Sequence, residues 1–351
     1  MPYGAGFALS DGAPAPGKTE EKRMLGYAVR RLLWAIPTLI FVSFIAFVII
    51  QLPPGDFVTA YAAQLRSGGE YITELQEELM RQQYGLNDPI LVQYWRWISN
   101  IIFYGDFGRS LEWNAPVSDL IWDRLGLTLA ISTLSMIFTW MIAIPVGVYS
   151  ATRQYSVFDY VFTVFGFLGK GIPDFLLALV LMWMTFVWLN MDVGGLVSPE
   201  FQGKPWDFDK FVNMLSHIWI PLVVLATGGA AGLIRVMRAN MLDELRKPYV
   251  ETAYAQGFSE RTVVWRYPVR VALNPFISTV GWALPALFSG DVITAVVLNL
   301  PTTGPLLLQA LKMQDMYLAG SFILILSVFT VIGTVLSDIL LALSDPRIRF
   351  S

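Results

Sequence analysis

RKPYVETAYAQGFSERTVVWRYPVRVALNP, residues 246–275, reads as two short helices folded around a glycine turn. Pro248 suits the first position of a helix, where its missing N–H would be unpaired anyway. Tyr249–Gln256 continues that helix, and Gly257 supplies a left-handed cap at its end. Ser259 can accept a backbone N–H and so N-cap a second helix over Glu260–Arg266. Pro268 should end or kink that second helix, because its ring clashes with the preceding turn. The stretch is strongly basic and lies between two long apolar blocks, which makes it a loop joining membrane spans.

Working outward from it, a spanning helix needs ~20 mostly apolar residues to cross ~30 Å of hydrocarbon. Hydropathy predicts about six: Leu32–Gln51, Leu127–Ser150, Tyr160–Leu189, Ile218–Met237, Pro275–Leu298 and Leu318–Leu343. The third is interrupted at Gly169–Pro173 and should be kinked there. The fold class is therefore all-α, a polytopic transmembrane helical bundle.

Lys and Arg placement sets the orientation. Lys22, Arg23, Arg30 and Arg31 precede the first span. Arg235, Arg238, Arg246, Lys247, Arg261, Arg266 and Arg270 follow the fourth, and Arg347 and Arg349 follow the sixth. With about six spans these segments share one side with Arg153. That side is the cytoplasm, with both termini inside. The domain reading is a Gly/Pro/Ala-rich disordered cytoplasmic tail over 1–23 and a first transmembrane helix over 24–51. An extracytoplasmic cap follows over 52–126. A transmembrane core over 127–346 contains the loop 243–270, and a short cytoplasmic tail closes the chain over 347–351. The first apolar block has no cleavage pattern after it and reads as a retained helix, not a signal peptide.

Composition narrows the chemistry. Hydrophobic residues make up 55% and charged residues 15% of the chain, too much apolar material for one aqueous core. A net charge of −3 argues against a nucleic-acid partner. The absence of cysteine excludes disulfides, thiolate metal sites and cysteine nucleophiles, and a single histidine, His217, excludes multi-histidine metal sites. No G-x-x-x-x-G-K-[ST] phosphate loop occurs, so the chain has no nucleotide-hydrolysing motif of its own.

The quoted loop resembles the EAA loop of ABC (ATP-binding cassette) importer permeases, in their oligopeptide/dipeptide branch. Glu251, Ala253 and Gly257 match the E-x-A-x-x-x-G core, and Pro275 matches the proline that opens the next span; Thr252 replaces a second alanine. GYAVRRLLWAIPTLIFVSFIAF, LPPGD, QYGLNDPILVQYWRWI, GDFGRSLEWNAPVSDLI and the closing SDPRIRF resemble further segments of that family, in order, over nearly everything after Met24. The resemblance implies a non-catalytic subunit in a bacterial or archaeal inner membrane. Its partners would be a second homologous permease, one or two cytoplasmic ATPases that bind ATP and Mg, and an extracytoplasmic binding protein. The loop, with Glu251, Ala253, Gly257 and Ser259, would dock into the ATPase. Ala253 would allow close helix approach, Gly257 would make the turn, and Glu251 would offer a charge. No cofactor or metal is expected in this chain.

Ionisable residues inside spans mark either a polar path or an internal pair. Lys170 and Asp174, spaced i, i+4 across Pro173, fit a substrate-path lining or an ion pair locking the kink. Asp291 fits the outer half of the path or a helix break, and Asp338 fits a pair with loop arginines. Gly228 and Gly232 form a small-xxx-small pair for close helix packing. His217 reads as an interfacial anchor rather than a proton relay. Trp95, Trp97 and Trp113 read as core residues or interfacial anchors, or as contacts for a delivered sugar or a docking protein.

Within the branch, peptides are the default substrate. LPPGDFVTAY and GDFGRSLEWN also resemble sugar-importing relatives, so oligosaccharides stand as an alternative, with opines and nickel chelates behind them. An ion-coupled secondary transporter using Lys170, Asp174 and Asp291 is the competing class, opposed by the lack of an inverted repeat. A membrane-embedded enzyme would have little chemistry to use.

Overall fold

The computed structural model describes residues 18–191, 194–205, 207–278, 286 and 292–344. Among the described residues the chain is helical, with a single isolated bridge between Arg109 and Pro116 and no strands.

The helices in order are α1 (Lys18–Gln51), α2 (Phe57–Ser67), α3 (Glu74–Tyr84), α4 (Ile90–Tyr104), α5 (Val117–Thr152), α6 (Val157–Gly171) and α7 (Asp174–Leu189). They continue with α8 (Phe208–Leu245), α9 (Pro248–Ala255), α10 (Glu260–Arg266), α11 (Pro268–Ala272), α12 (Val292–Val297), α13 (Thr303–Lys312) and α14 (Met316–Ser344). Four helices, α1, α5, α8 and α14, are long and apolar enough to cross a membrane, and α6 with α7 makes a fifth candidate if the broken pair is one span. Half of the expected span Pro275–Leu298 lies outside the described residues, and α12 belongs to its described end.

The long helices overrun the expected spans. α1 begins at Lys18, α5 at Val117, and α8 extends from Phe208 to Leu245. Apolarity marks the lipid-crossing part of a helix, whereas backbone hydrogen bonding continues into polar flanks that packing and caps stabilise. Asp207 caps α8 by accepting from the Lys210 N–H at 2.8 Å. Arg235 and Arg238, expected in a loop, are consequently in the last turns of α8.

The third expected span is a break, not a kink. α6 and α7 meet at 102° across Ile172 and Pro173. Pro173 has no N–H to give α6, and its preceding residue is pushed to an extended conformation, φ −95° and ψ 123° at Ile172.

The spine of the bundle is α5 against α8. Gly147 is required there, since a Cβ would lie 2.5 Å from Met237 Cβ. Ala143, Met237, Met241, Val269 and Phe276 bury the loop end of this pair. α1 runs along α14, and Arg31 pairs with Asp338 between them. The expected arginine partner of Asp338 therefore comes from the first helix, not from the loop.

The segment between α1 and α5 folds as α2, α3, α4 and a loop. The motif residues hold it. Asp56 of LPPGD caps α2 through the Thr59 N–H at 2.8 Å and accepts from Arg81 Nε of α3 at 2.8 Å. Burial alone would raise the Asp56 pKa, but the bonds from Arg81 and Thr59 outweigh it and hold the carboxyl below its ordinary value. Asp315, fully buried at the head of α14, accepts from Ser110 Oγ at 2.6 Å, Leu111 N at 2.9 Å, Glu112 N at 3.2 Å and Leu318 N at 3.2 Å.

Packing bears on three of the sequence expectations. Trp97 is a core residue, 2% exposed, and Trp113 packs against the same cluster, while Trp95 stays exposed. His217 is buried, with Nδ1 bound to the Asn213 carbonyl at 2.7 Å, so its anchoring is inside the protein and not at the lipid interface. Gly228 and Gly232, spaced for close packing within this subunit or against a sister subunit, have different surroundings. Gly228 meets Asp174, whereas a Cβ on Gly232 would meet nothing within 4 Å.

Candidate coupling loop and translocation pathway

The basic loop folds as its sequence predicts. α8 ends at Leu245, Pro248 opens α9, and Gln256 closes it. Gly257 follows at φ +82°, in the left-handed region. A Cβ there would touch nothing within 4 Å, so the demand for glycine is conformational alone. Ser259 caps α10 by accepting from the Thr262 N–H, and its hydroxyl also meets Thr262 Oγ1 at 2.8 Å. Pro268 ends α10 by starting a separate helix, α11.

The two short helices enclose a small core of their own. Val250, Ala253 and Val263 are buried, with Phe258 and Tyr267 packed against them. At 3% exposure Ala253 works inside this knob: its methyl fits where a longer side chain would push α9 from α10. Glu251 points the other way and is exposed, as are Thr252, Gln256 and Ser259. Tyr249, Tyr254 and Trp265 add exposed aromatic surface to the same knob. Helical spacing from Ala253 would place Tyr249, four residues earlier, near the buried face, so its exposure carried no signal in the sequence. Burial and the hydrogen bond to the Glu244 carboxylate push the Tyr249 hydroxyl well above its usual pKa, which keeps it a donor and fixes α9 to the end of α8.

The knob is tied to the spans. Val264 and Val269 sit in the cluster formed by α5 and α8. On the same flank Arg238 of α8 donates to Asp159 of α6 at 3.0 Å, and Asp159 also accepts the Tyr155 N–H at 3.0 Å. The Asp159–Arg238 pair spans 79 residues and carried no sequence signal beyond the Ser156-x-x-Asp159 capping pattern.

The candidate pathway residues are separated by the α6–α7 break. Lys170 lies exposed in the last turn of α6 and Asp174 opens α7, so they do not share one helical face as i, i+4 spacing implied. Asp174 turns onto α8, where its Oδ1 would be 2.7 Å from a Cβ at Gly228. Thr227 meets Gly169 in the same way, at 2.9 Å from a Cβ there. The break is therefore seated on Thr227–Gly228 of α8. Asp291 lies outside the described residues.

Two family profiles match the chain. Residues 143–350 match the family described as "Binding-protein-dependent transport system inner membrane component", and residues 24–132 match its N-terminal companion. The chain belongs to this family. It is a permease, a non-catalytic inner-membrane component of a binding-protein-dependent transport system. Similar proteins include the oligopeptide transport system permease protein AppB of Bacillus subtilis, 36% identical over 93% of this chain and 100% of that protein. The dipeptide transport system permease protein DppB of Alkalihalophilus pseudofirmus is 31% identical over 93% of this chain and 100% of its own length. The glutathione transport system permease protein GsiC of Escherichia coli K12 matches at 31% over the same shares. Membership removes the secondary-transporter and membrane-enzyme readings, and the basic loop 243–270 falls within the larger matched region.

Proposed function

We propose that this permease forms half of the translocation pathway of an ATP-driven peptide importer, coupled to a cytoplasmic ATPase through the α9–Gly257–α10 knob. The observation that carries the reading is the knob itself. It is a self-packed unit at the end of a long span, with Glu251, Tyr249, Tyr254 and Trp265 exposed and its base buried in the α5–α8 core. Such a unit transmits force as a rigid body, because its own core resists deformation. Closure of an ATPase dimer would move it, and with it α8 and the α6–α7 break.

In this reading six spans cross the inner membrane, both termini and the knob are cytoplasmic, and α2–α4 are extracytoplasmic. A second homologous permease completes the pathway, one or two ATPases bind ATP and Mg, and a binding protein delivers substrate. Lys170, Asp174 and Asp291 remain the candidate polar path, with Asp174 at the seated break as its strongest member.

Peptides are favoured over sugars for two reasons. The relatives named above are described as oligopeptide, dipeptide and glutathione permeases. The segments that suggested sugars have structural work instead: Asp56 caps α2 and Ser110 binds Asp315.

The test is purification of the tagged permease in mild detergent, followed by reconstitution with its co-purifying partners. Recovery of a second permease and a P-loop ATPase, with ATP turnover stimulated by peptide and not by oligosaccharide, is the expected result. Recovery of this chain alone would contradict the coupling, and stimulation by oligosaccharide would contradict the substrate.

A further inference from the structure

α4 is placed between two candidate spans. At its start, Gln51 Nε2 of α1 donates to Gln93 Oε1 at 3.1 Å. One residue on, the Tyr94 hydroxyl lies 2.9 Å from Ser43 Oγ and donates to the Ile40 carbonyl at 3.1 Å. Trp97 then stacks on Phe47 of α1, ring centroids 5.5 Å apart. Its other edge meets α14, where a Cβ on Gly320 would be 3.3 Å from Trp97 Cζ2.

These partners fix a depth. Ile40, Ser43 and Phe47 all belong to the apolar segment Leu33–Gln51, and Gly320 to Met316–Leu340. At ~1.5 Å per residue, Phe47, Ser43 and Ile40 lie about 6, 12 and 16 Å below Gln51. Half of a bilayer's hydrocarbon is about 15 Å thick. The Tyr94 and Trp97 side chains therefore reach from α4, beside the Gln51 end of α1, into the depth of one leaflet.

Its chemistry agrees. In the 15 residues ILVQYWRWISNIIFY the sole charge is Arg96. Arg96 reaches back to Asp88, outside the helix, at 2.7 Å, as a snorkelling side chain does. The face turned away from α1 and α14 is mostly apolar: Leu91, Val92, Trp95, Ile102 and Phe103 are exposed on it, with Arg96 and Ser99 as its polar members. On α1 at the same depth, Ile45 and Ile49 are exposed as well. The helix closes its own carbonyls, with Gly105 at φ +66° and its N–H on Ile101 at 3.1 Å, which a lipid environment requires. α3, by contrast, reads ELQEELMRQQY and is built for water.

The geometry points to α4 as a membrane-embedded helix whose outward face lies against lipid acyl chains of the leaflet at the Gln51 end of α1. The segment 52–126 is then a cap only over α2 and α3, with α4 as a buttress inside the bilayer. This depends on α1 and α14 being spans, and holds whichever side of the membrane carries the coupling loop.

The permease has no cysteine, so each introduced thiol is unique in this chain and can be labelled before the partners are added. Nitroxide labels at Leu91→Cys, Trp95→Cys and Ile102→Cys, one at a time, would be read in the complete transporter in lipid nanodiscs, with Glu74→Cys on α3 as the aqueous reference. Uptake activity checks assembly, and Leu91→Cys and Ile102→Cys carry the test if Trp95→Cys does not assemble. Faster relaxation by molecular oxygen than by a water-soluble nickel chelate on α4, and the reverse at position 74, is the expected result. A dominant nickel effect on α4 would overturn the proposal in favour of a solvent-exposed cap. Slow relaxation by both reagents would overturn it in favour of a face covered by a partner protein.

Discussion

Ser110 Oγ donates to the Asp315 carboxylate at 2.6 Å across 205 residues of chain. With the Leu111 and Glu112 N–H groups on the same oxygen, at 2.9 and 3.2 Å, it fastens the loop before α5 to the head of α14. Replacing Asp315 by leucine would orphan these buried donors. The expected loss is about 3 kcal/mol or more, because a hydrogen bond to a charged group contributes roughly 1.5–3 kcal/mol. Thermal unfolding followed by tryptophan fluorescence measures it, and Asp315→Asn, which keeps an acceptor, should lose less.

Gly257→Val should leave the permease inserted and assembled but weaken coupling. The site has room for the side chain, so the cost comes from the left-handed backbone, about 1–2 kcal/mol for a residue with a Cβ. Membrane abundance and substrate-stimulated ATP hydrolysis separate the two effects: the first should hold while the second falls.

Glu251 and Ala253 should fail differently. Glu251 is exposed, so Glu251→Lys should leave the knob folded and act only on the partner contact. If the contact is desolvated, truncating or reversing such a charge costs about 2–5 kcal/mol, or roughly thirtyfold or more in affinity. Ala253 is 3% exposed, and Ala253→Leu should unpack α9 from α10 and raise proteolysis of the loop itself. Pull-down of the ATPase and limited proteolysis distinguish them.

Asp159→Ala should destabilise the α6–α8 contact by about 1.5–3 kcal/mol, since it removes the charged acceptor of Arg238, whose own side chain stays partly solvated. The swap Asp159→Arg with Arg238→Asp should recover part of that loss. Thermal stability of the two variants against the parent protein checks both statements.

The Asp56–Arg81 link makes the cap acid-sensitive. The folded-state pKa of Asp56 is depressed, so its contribution is present above the unfolded value and is lost as pH falls through the folded one. Protease sensitivity of the α2–α3 segment should rise below about pH 4, and Asp56→Asn should be sensitive already at neutral pH with a flatter profile.

The elements legible in the sequence are those whose physics is local. Pro248, Gly257, Ser259 and Pro268 each act on their own backbone, and each sits where the sequence placed it. Pro173 announced an interruption, but the 102° turn depends on how Gly169 and Asp174 seat on Thr227 and Gly228, which no spacing encodes. The same limit hid the Asp159–Arg238 and Ser110–Asp315 pairs. His217 was misread, and Trp97 was left open between core and interface, because aromatic rings near a span edge serve lipid interfaces and protein cores equally well, and only packing decides. The α4 helix has too few residues for a span, so hydropathy alone assigned it to the cap.

The most direct test of the account is a photoactivatable cross-linker on a unique cysteine at Glu251→Cys, in membranes containing the whole transporter. The account predicts cross-linking to a P-loop ATPase, with a yield that changes between the nucleotide-free and ATP-bound states. A position 251 that is labelled freely from the aqueous phase in both states, and cross-links to no ATPase, would contradict it.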